Sequence, residues 1–411
     1  MNPLQLFLPC AAGVEELLAS ELLALTGEPC QTMRGGVRLS SSWLTMMRIN
    51  LHSRLAQRVL IELASDSYRD EQDLYQIAGG VAWEAWFDLR QSFKVEITAQ
   101  HSPLKSLNFA LLRVKDAVAD RFRDQSGARP DVQTRWPDVR LYTHLSSDRV
   151  TLYIDSSGEP LFKRGWREEK GDAPLKETLA AAMLAASGWD ARSPLYDPCC
   201  GSGTILIEAA QIACGLAPGL QRHFGFEKLI PFQAPPWNQL RAAAGAAQHA
   251  STAALFGSDV SFRMVDFARR NAQRAGVAEA IDWRVGDALQ RQAPSSAPGL
   301  MLLNPPYGER IEAAGMARRK PQAEAAPTRP GPAAGREVAQ TQGPEDFFLQ
   351  LSRHWKAHFN GWTAWVLTPD MKLPGRMRMK ESRRVPLWNG PIECRMFRFE
   401  ISPAGNAKPS V

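Results

Sequence analysis

The sequence predicts an α/β protein: a parallel-sheet domain in the C-terminal half, preceded by a smaller α+β region. Three observations carry this. From about residue 174, short apolar runs alternate with helical segments, the pattern of strands joined by crossover helices. A glycine turn, Gly201-Ser202-Gly203, lies where one such run hands over to a helix. Before residue 160, alternating strands and amphipathic helices fall into two groups.

The first group occupies about 60 residues. Leu4 to Leu8 alternates weakly as a strand, and Gly13 to Leu25 repeats apolar positions at helical spacing through Val14, Leu17, Leu18, Leu22 and Leu25. Gly35-Gly36 turns into a further strand through Leu39. In the second group, Phe93 to Ile97 reads as a half-buried strand. Ser106 or Asn108 can cap a helix whose apolar face uses Leu111, Val114, Val118 and Phe122. Its polar face offers Arg113, Lys115, Arg121 and Arg123, with Asp116, Asp120 and Asp124 among them, so an intramolecular ion-pair lattice competes with a binding role. Val139 to Thr143 and Val150 to Ile154 are two more strands.

In the C-terminal half, a helix over Leu175 to Ala186 precedes the strand Pro194 to Asp197 and the helix Thr204 to Cys214. Leu255 to Asp259, Ile281 to Val285, Leu300 to Leu303 and Ala364 to Leu367 follow as strands two to five, with a helix over Ser261 to Ala275. Cys394 to Ile401 is expected as a last, antiparallel strand. Residues 313–343 hold no aromatic group and few sizeable apolar ones. That composition buries too little surface to offset ordering entropy, so the segment is expected to be a flexible insertion.

Composition narrows the class. The 411 residues are 44% hydrophobic and 22% charged, the profile of a soluble globular chain. No run reaches the ~18 apolar residues of a membrane span, and Met1 to Leu8 lacks the marks of a secretory signal, so a cytoplasmic address is expected. The six cysteines form no C-x-x-C pair, and Cys199 and Cys200 are expected as buried reduced thiols. The net charge is +6, and residues 371–398 alone carry eight Lys or Arg against two Glu, the same surplus. Lys372, Arg376, Arg378, Lys380, Arg383 and Arg384 fall in that stretch, which is either a solvated face or a phosphate-binding one.

Three motifs carry chemistry. Asp197-Pro198-Cys199-Cys200-Gly201-Ser202-Gly203-Thr204 brings backbone close to a ligand at a helix N-terminus. The dehydrogenase fingerprint is incomplete, because Leu206 stands where its third glycine belongs, and no Lys-Ser/Thr pair marks a P-loop. A tight turn without ligand is the competing reading. Asp259 and Asp287 end strands two and three, where carboxylates can accept from ribose hydroxyls and an adenine amine; each alone is more often a helix cap or turn former. Asn304-Pro305-Pro306-Tyr307 follows strand four. The Asn304 amide oxygen and the Pro305 carbonyl can accept both hydrogens of a nucleobase amine, and Tyr307 offers a face for stacking the base.

The Gly turn, the two aspartates and Asn304 to Arg310 resemble class I methyltransferases acting on exocyclic amines. Phe7 to Leu23, Arg113 to Val118, Ser157 to Glu159, Lys163 to Arg167 and Ala173 to Leu179 extend the resemblance to the THUMP-containing bacterial rRNA guanine-N2 methyltransferases. It covers nearly the whole chain, leaving out 313–343 and the last few residues. The resemblance implies a ferredoxin-like domain over 1–64, a THUMP RNA-binding domain over 65–160 and a Rossmann-like methyltransferase domain over 165–402. It implies S-adenosylmethionine as co-substrate, without a metal. Asp197, Gly201 and Gly203 would line its methionine part, Asp259 its ribose and Asp287 its adenine, while Asn304, Pro305 and Tyr307 receive the target guanine. The implied partner is structured RNA, 23S rRNA or an assembling large ribosomal subunit, gripped by Lys105, Arg113, Lys115, Arg376, Arg378, Arg383 and Arg384. A monomer is expected. Fused relatives carry a second methyltransferase domain and this sequence ends at Val411, so a single activity is expected. The loop alone does not separate guanine N2 from adenine N6, nor rRNA from tRNA, and an RNA-binding assembly factor remains the alternative of another class.

Overall fold

The computed structural model describes residues 3–169, 174–305 and 347–402; the expected insertion at 313–343 lies outside them. The chain forms two compact units, Met1–Gly165 with Ala217–Ala247, and Trp166–Leu216 with Gln248–Val411.

The first unit opens with β1 (Leu4–Pro9), α1 (Glu15–Thr26), β2 (Gln31–Met33), β3 (Gly36–Ser41) and α2 (Trp43–His52). It continues through β4 (Leu60–Ser67), α3 (Glu71–Gly80), β5 (Phe93–Ala99), α4 (Leu107–Ser126), β6 (Val139–Leu145) and β7 (Arg149–Asp155). Its strands make one seven-stranded sheet in the order β2-β3-β1-β4-β7-β6-β5. β4 was not anticipated; it spans the expected junction at 64/65 and pairs with β1 on one side and β7 on the other. Ser106 caps α4, its hydroxyl accepting from Phe109 N–H, while Val114, Val118 and Phe122 bury the face that the spacing foretold.

The second unit begins with α5 (Glu177–Ser187), β8 (Leu195–Asp197) and α6 (Thr204–Ala213). After α6 the chain rejoins the first unit through α7 (Ala234–Ala246), which packs on α2 and buries Trp237 edge-on against Phe224 and Phe226. Here the buried Arg222 donates to the carbonyls of Ser157, Glu159, Pro160 and Lys163. Burial lowers its pKa to about 10.

The second unit then continues with β9 (Leu255–Asp259), α8 (Phe262–Arg274), β10 (Ile281–Val285), β11 (Leu300–Leu303), α9 (Phe347–His358), β12 (Thr363–Thr368), α10 (Leu373–Met377), β13 (Arg383–Asn389) and β14 (Ile392–Glu400). Its sheet runs β10-β9-β8-β11-β12-β14-β13. The five strands from β10 to β12 in that order are parallel, and β14 is antiparallel as expected. Met301, Leu303, Trp355, Val366, Phe397 and Phe399 fill the core between this sheet and α9, each side chain contributing about 1.5–3 kcal/mol of burial. Because β8 to β11 run the same way, Asp197, Asp259, Val285 and Leu303 end at one edge of the sheet, where ligands of open α/β sheets bind.

Candidate functional site

The glycine turn is built by what surrounds it. Asp197 ends β8, and its carboxylate accepts from Cys199 N–H at 3.0 Å. Cys200 N–H reaches Ser258 O at 2.9 Å, and Gly203 N–H closes on Cys200 O at 2.8 Å. Gly201 and Gly203 have φ of +52° and +87°, where a side chain is strained. A Cβ on Gly203 would also sit 2.8 Å from the Trp283 ring and 2.9 Å from Ala268 Cβ, so α6 can start here only from glycine.

Asp259 joins the turn to its neighbouring strand. One carboxylate oxygen accepts from Gly201 N–H at 3.0 Å and the other from Ser261 N–H at 3.0 Å. Asp287 accepts from Leu289 N–H at 2.9 Å. Burial, with the charges of Asp197, Asp259 and Asp287, pushes the Cys199 thiol well up. Cys200 is pushed up in the same way; both thiols are free of disulfides and stay protonated. Asp197 itself, buried and facing Asp259, rises to about 8 although the Cys199 hydrogen bond opposes the shift.

Asn304 follows β11 directly. Its Oδ1 is buried and has no hydrogen-bond partner among the described residues, a state that costs about 1–3 kcal/mol. Pro305 beside it is buried; Pro306 and Tyr307 lie outside the described residues. Among the described residues, no cluster of three His, Cys, Asp or Glu could hold a metal. No described helix is long and apolar enough to cross a membrane.

The basic candidates divide. Lys105 is exposed. Arg113 donates to Gln72 Oε1 at 2.7 Å and lies over the Tyr75 ring, and Lys115 pairs with Asp116 at 2.7 Å. Arg376 pairs with Asp370 at 2.7 Å and Arg384 with Glu381. Lys372, Arg378, Lys380 and Arg383 are exposed and make no salt bridge among the described residues. Arg378 also takes a left-handed backbone, φ +48°, which costs a non-glycine residue about 1–2 kcal/mol. Two side chains that touch the turn were not singled out from sequence, Arg167 and Asn271. One sits in a basic run and the other mid-helix, and neither position announces a contact with a distant turn.

Three family models match the chain. The RlmL ferredoxin-like domain matches residues 5–60, the THUMP domain residues 68–155, and the RMKL-like methyltransferase domain residues 164–320. Together the three matches give the chain a ferredoxin-like, a THUMP and an RMKL-like methyltransferase domain, in that order. It is 36% identical over 406 residues to the ribosomal RNA large subunit methyltransferase K/L of Psychromonas ingrahamii, covering 97% of this chain and 50% of that protein. It spans about half the length of the curated relatives it matches. The solved structure of SMU.472, a putative methyltransferase complexed with SAH, superposes with a TM-score of 0.83 at 26% identity, covering 98% of this chain and 100% of that one. A predicted N6-adenine-specific DNA methylase from Listeria monocytogenes superposes at 0.81 with 27% identity, covering 98% and 97%. The acid-lined sheet edge and Asn304 both fall in the segment matched by the RMKL-like model.

Proposed function

We infer that the chain transfers a methyl group from S-adenosylmethionine to the exocyclic N2 amine of a guanosine in 23S rRNA. The buried, unpartnered Asn304 Oδ1 at the carboxylate-lined edge carries this reading. A folded chain tolerates an orphaned acceptor where a ligand donor completes it. The donor residues fit an adenosyl group: the cradle at Gly201 and Gly203 admits no Cβ at its second position, and Asp197, Asp259 and Asp287 follow along the edge. In this reading Asp197, Gly201 and Gly203 hold the methionine part, Asp259 the ribose and Asp287 the adenine.

When bound, the sulfonium supplies an electrophilic methyl. The amine is a poor nucleophile because its lone pair is shared with the ring. In this reading Asn304 Oδ1 and the Pro305 carbonyl accept its two hydrogens and favour a tetrahedral nitrogen, and the ring of Pro305 restricts the backbone between them. The N–C bond forms as the S–C bond breaks, and the nitrogen sheds one proton. Alignment is the main demand on the protein. Tyr307 would stack the base. The ferredoxin-like, THUMP and methyltransferase extents, 1–64, 65–160 and 165–402, belong to the same reading. So do RNA contacts from Lys105, Arg113, Lys115, Arg376, Arg378, Arg383 and Arg384, a cytoplasmic address and a monomer.

The name of the Psychromonas relative favours large-subunit rRNA, whereas the name of the Listeria structure favours an adenine amine. Mass-spectrometric mapping of RNA from cells with and without the gene separates them. An N2-methylguanosine lost from 23S rRNA is the expected result. Loss only from tRNA, or of an N6-methyladenine, would replace it.

A further inference from the structure

Residues Trp166 to Glu169 form a strap across the glycine turn, clamped from both sides. Arg167 is its centre. Its Nε donates to Glu177 Oε1 at 2.8 Å, one terminal nitrogen to Ser202 Oγ at 3.3 Å, and the other to Thr204 Oγ1 at 2.8 Å and Leu175 O at 3.1 Å. The pair with Glu177 is almost closed off, with 14% and 5% of the two side chains exposed. From the far side Asn271, fully buried on α8, donates to Ser202 O at 3.2 Å and to Glu169 O at 3.0 Å. Arg274 holds Trp166 O at 2.9 Å and pairs with Glu169. The turn is therefore gripped at a backbone carbonyl and at two buried hydroxyls.

We propose that Arg167 is a positioning residue for the methyl donor: through Ser202 and Thr204 it holds the turn at Gly201 and Gly203 in its donor-accepting shape. This rests on the donor-binding reading above. The hydroxyls receive hydrogen bonds from Arg167, so their own O–H groups face elsewhere as donors, fixed at the start of α6. Only a planar guanidinium reaches Glu177, Ser202 and Thr204 at once. Lysine keeps the charge but offers a point rather than a fork. An alanine would leave Glu177 buried without its counter-charge and endanger folding. Arg167→Lys and Thr204→Val are therefore the informative variants.

The test reads amide hydrogen exchange over residues 200–204 in the ligand-free protein, together with S-adenosylmethionine affinity and steady-state kinetics. Arg167→Lys should speed exchange at Gly201 and Gly203 and raise the donor Kd and KM about tenfold, with kcat at saturating donor within about twofold. Thr204→Val should act in the same direction and more weakly. Unchanged exchange, or a fall in kcat with donor KM intact, overturns the proposal. So does a donor Kd that weakens only in step with the melting temperature. If the wild-type protein binds no S-adenosylmethionine, the donor-binding reading fails. Faster exchange in Arg167→Lys would still uphold Arg167 as the residue that sets the turn.

Discussion

The carboxyl edge of the second unit's sheet and helix α4 of the first both offer, by sequence, polar groups suited to a ligand. They satisfy those groups in opposite ways. On α4 the charges turn inward on the protein: Arg121 pairs with Glu84, Arg123 and Arg129 with Asp120, and Arg113 with Gln72 and the Tyr75 ring. At the sheet edge one buried acceptor is unmatched among the described residues, and three acidic side chains all act on the Cys199 thiol. A surface whose groups complete one another supports the fold. An edge that keeps an acceptor unpaired bears a cost that a ligand can relieve.

The largest effect expected from that contrast is at Asn304. Asn304→Ala should lower methyl transfer by on the order of 10²–10³-fold, the scale seen when one polar group is removed from a preorganised site. Donor affinity should stay within about threefold. Stability should hold or rise slightly, because the variant deletes a buried acceptor that has no partner among the described residues. A folded variant that no longer binds S-adenosylmethionine would sink the assignment of Asn304 to the target base.

Next is Asp197, whose carboxyl folding raises from about 3.9 to about 8. The folded chain holds this proton more tightly than the unfolded one. The stability the group contributes is therefore fully present below about pH 4 and is lost as the pH rises through about 8. Asp197→Asn keeps an acceptor for Cys199 N–H and removes the ionisation. Calorimetry at about pH 5.5 and 8.5 should find the wild type losing more stability than the variant on going alkaline, by a difference on the order of a few kcal/mol. Equal losses in both proteins would show that Asp197 is not protonated at neutral pH. The same variant should bind donor less well, so stability and function oppose each other at this position.

Legibility followed the same division. Strands β8, β9 and β11 were readable because a strand buried on both faces is a short apolar run, β10 because Ile281 and Trp283 alternate with exposed polar residues, and the chemistry-bearing residues sit where these strands end. β13 was not readable: Arg383-Arg384-Val385-Pro386 looks like a basic loop, and only its place at the edge of the sheet lets a proline sit in a strand. α7 carries Pro235 and Pro236 in its first turn and an Ala-Ala-Ala-Gly-Ala end, so its period was faint. The lattice on α4 was anticipated from Asp116, Asp120 and Asp124, but Arg121 finds Glu84, outside the helix. Asn304 was legible as an acceptor by type and place. That its oxygen is both buried and unpartnered is a fact of packing, as is the grip of Arg167 on the turn.

The smallest effects expected are on RNA affinity, and they extend the contrast to the basic residues. Arg376 and Arg384 already have carboxylate partners, and exposed pairs of this kind are worth about 0–1 kcal/mol. Binding a phosphate would require exchanging one anion for another, with little net gain. Lys372, Arg378, Lys380 and Arg383 have no such partner among the described residues, so a phosphate brings them new attraction and releases counterions. Changing these four to Gln should weaken RNA binding. It should also flatten the dependence of log K on log salt by about 0.7–0.9 for each phosphate contact removed. The double change Arg376→Gln with Arg384→Gln should alter affinity by less than about threefold, and Arg113→Gln by less than about twofold. Filter binding of an rRNA fragment across a salt series measures all three. If the paired arginines flatten the slope as much as the unpaired four, surface pairing does not decide which cations meet RNA, and the contrast holds only for the buried groups of the sheet edge.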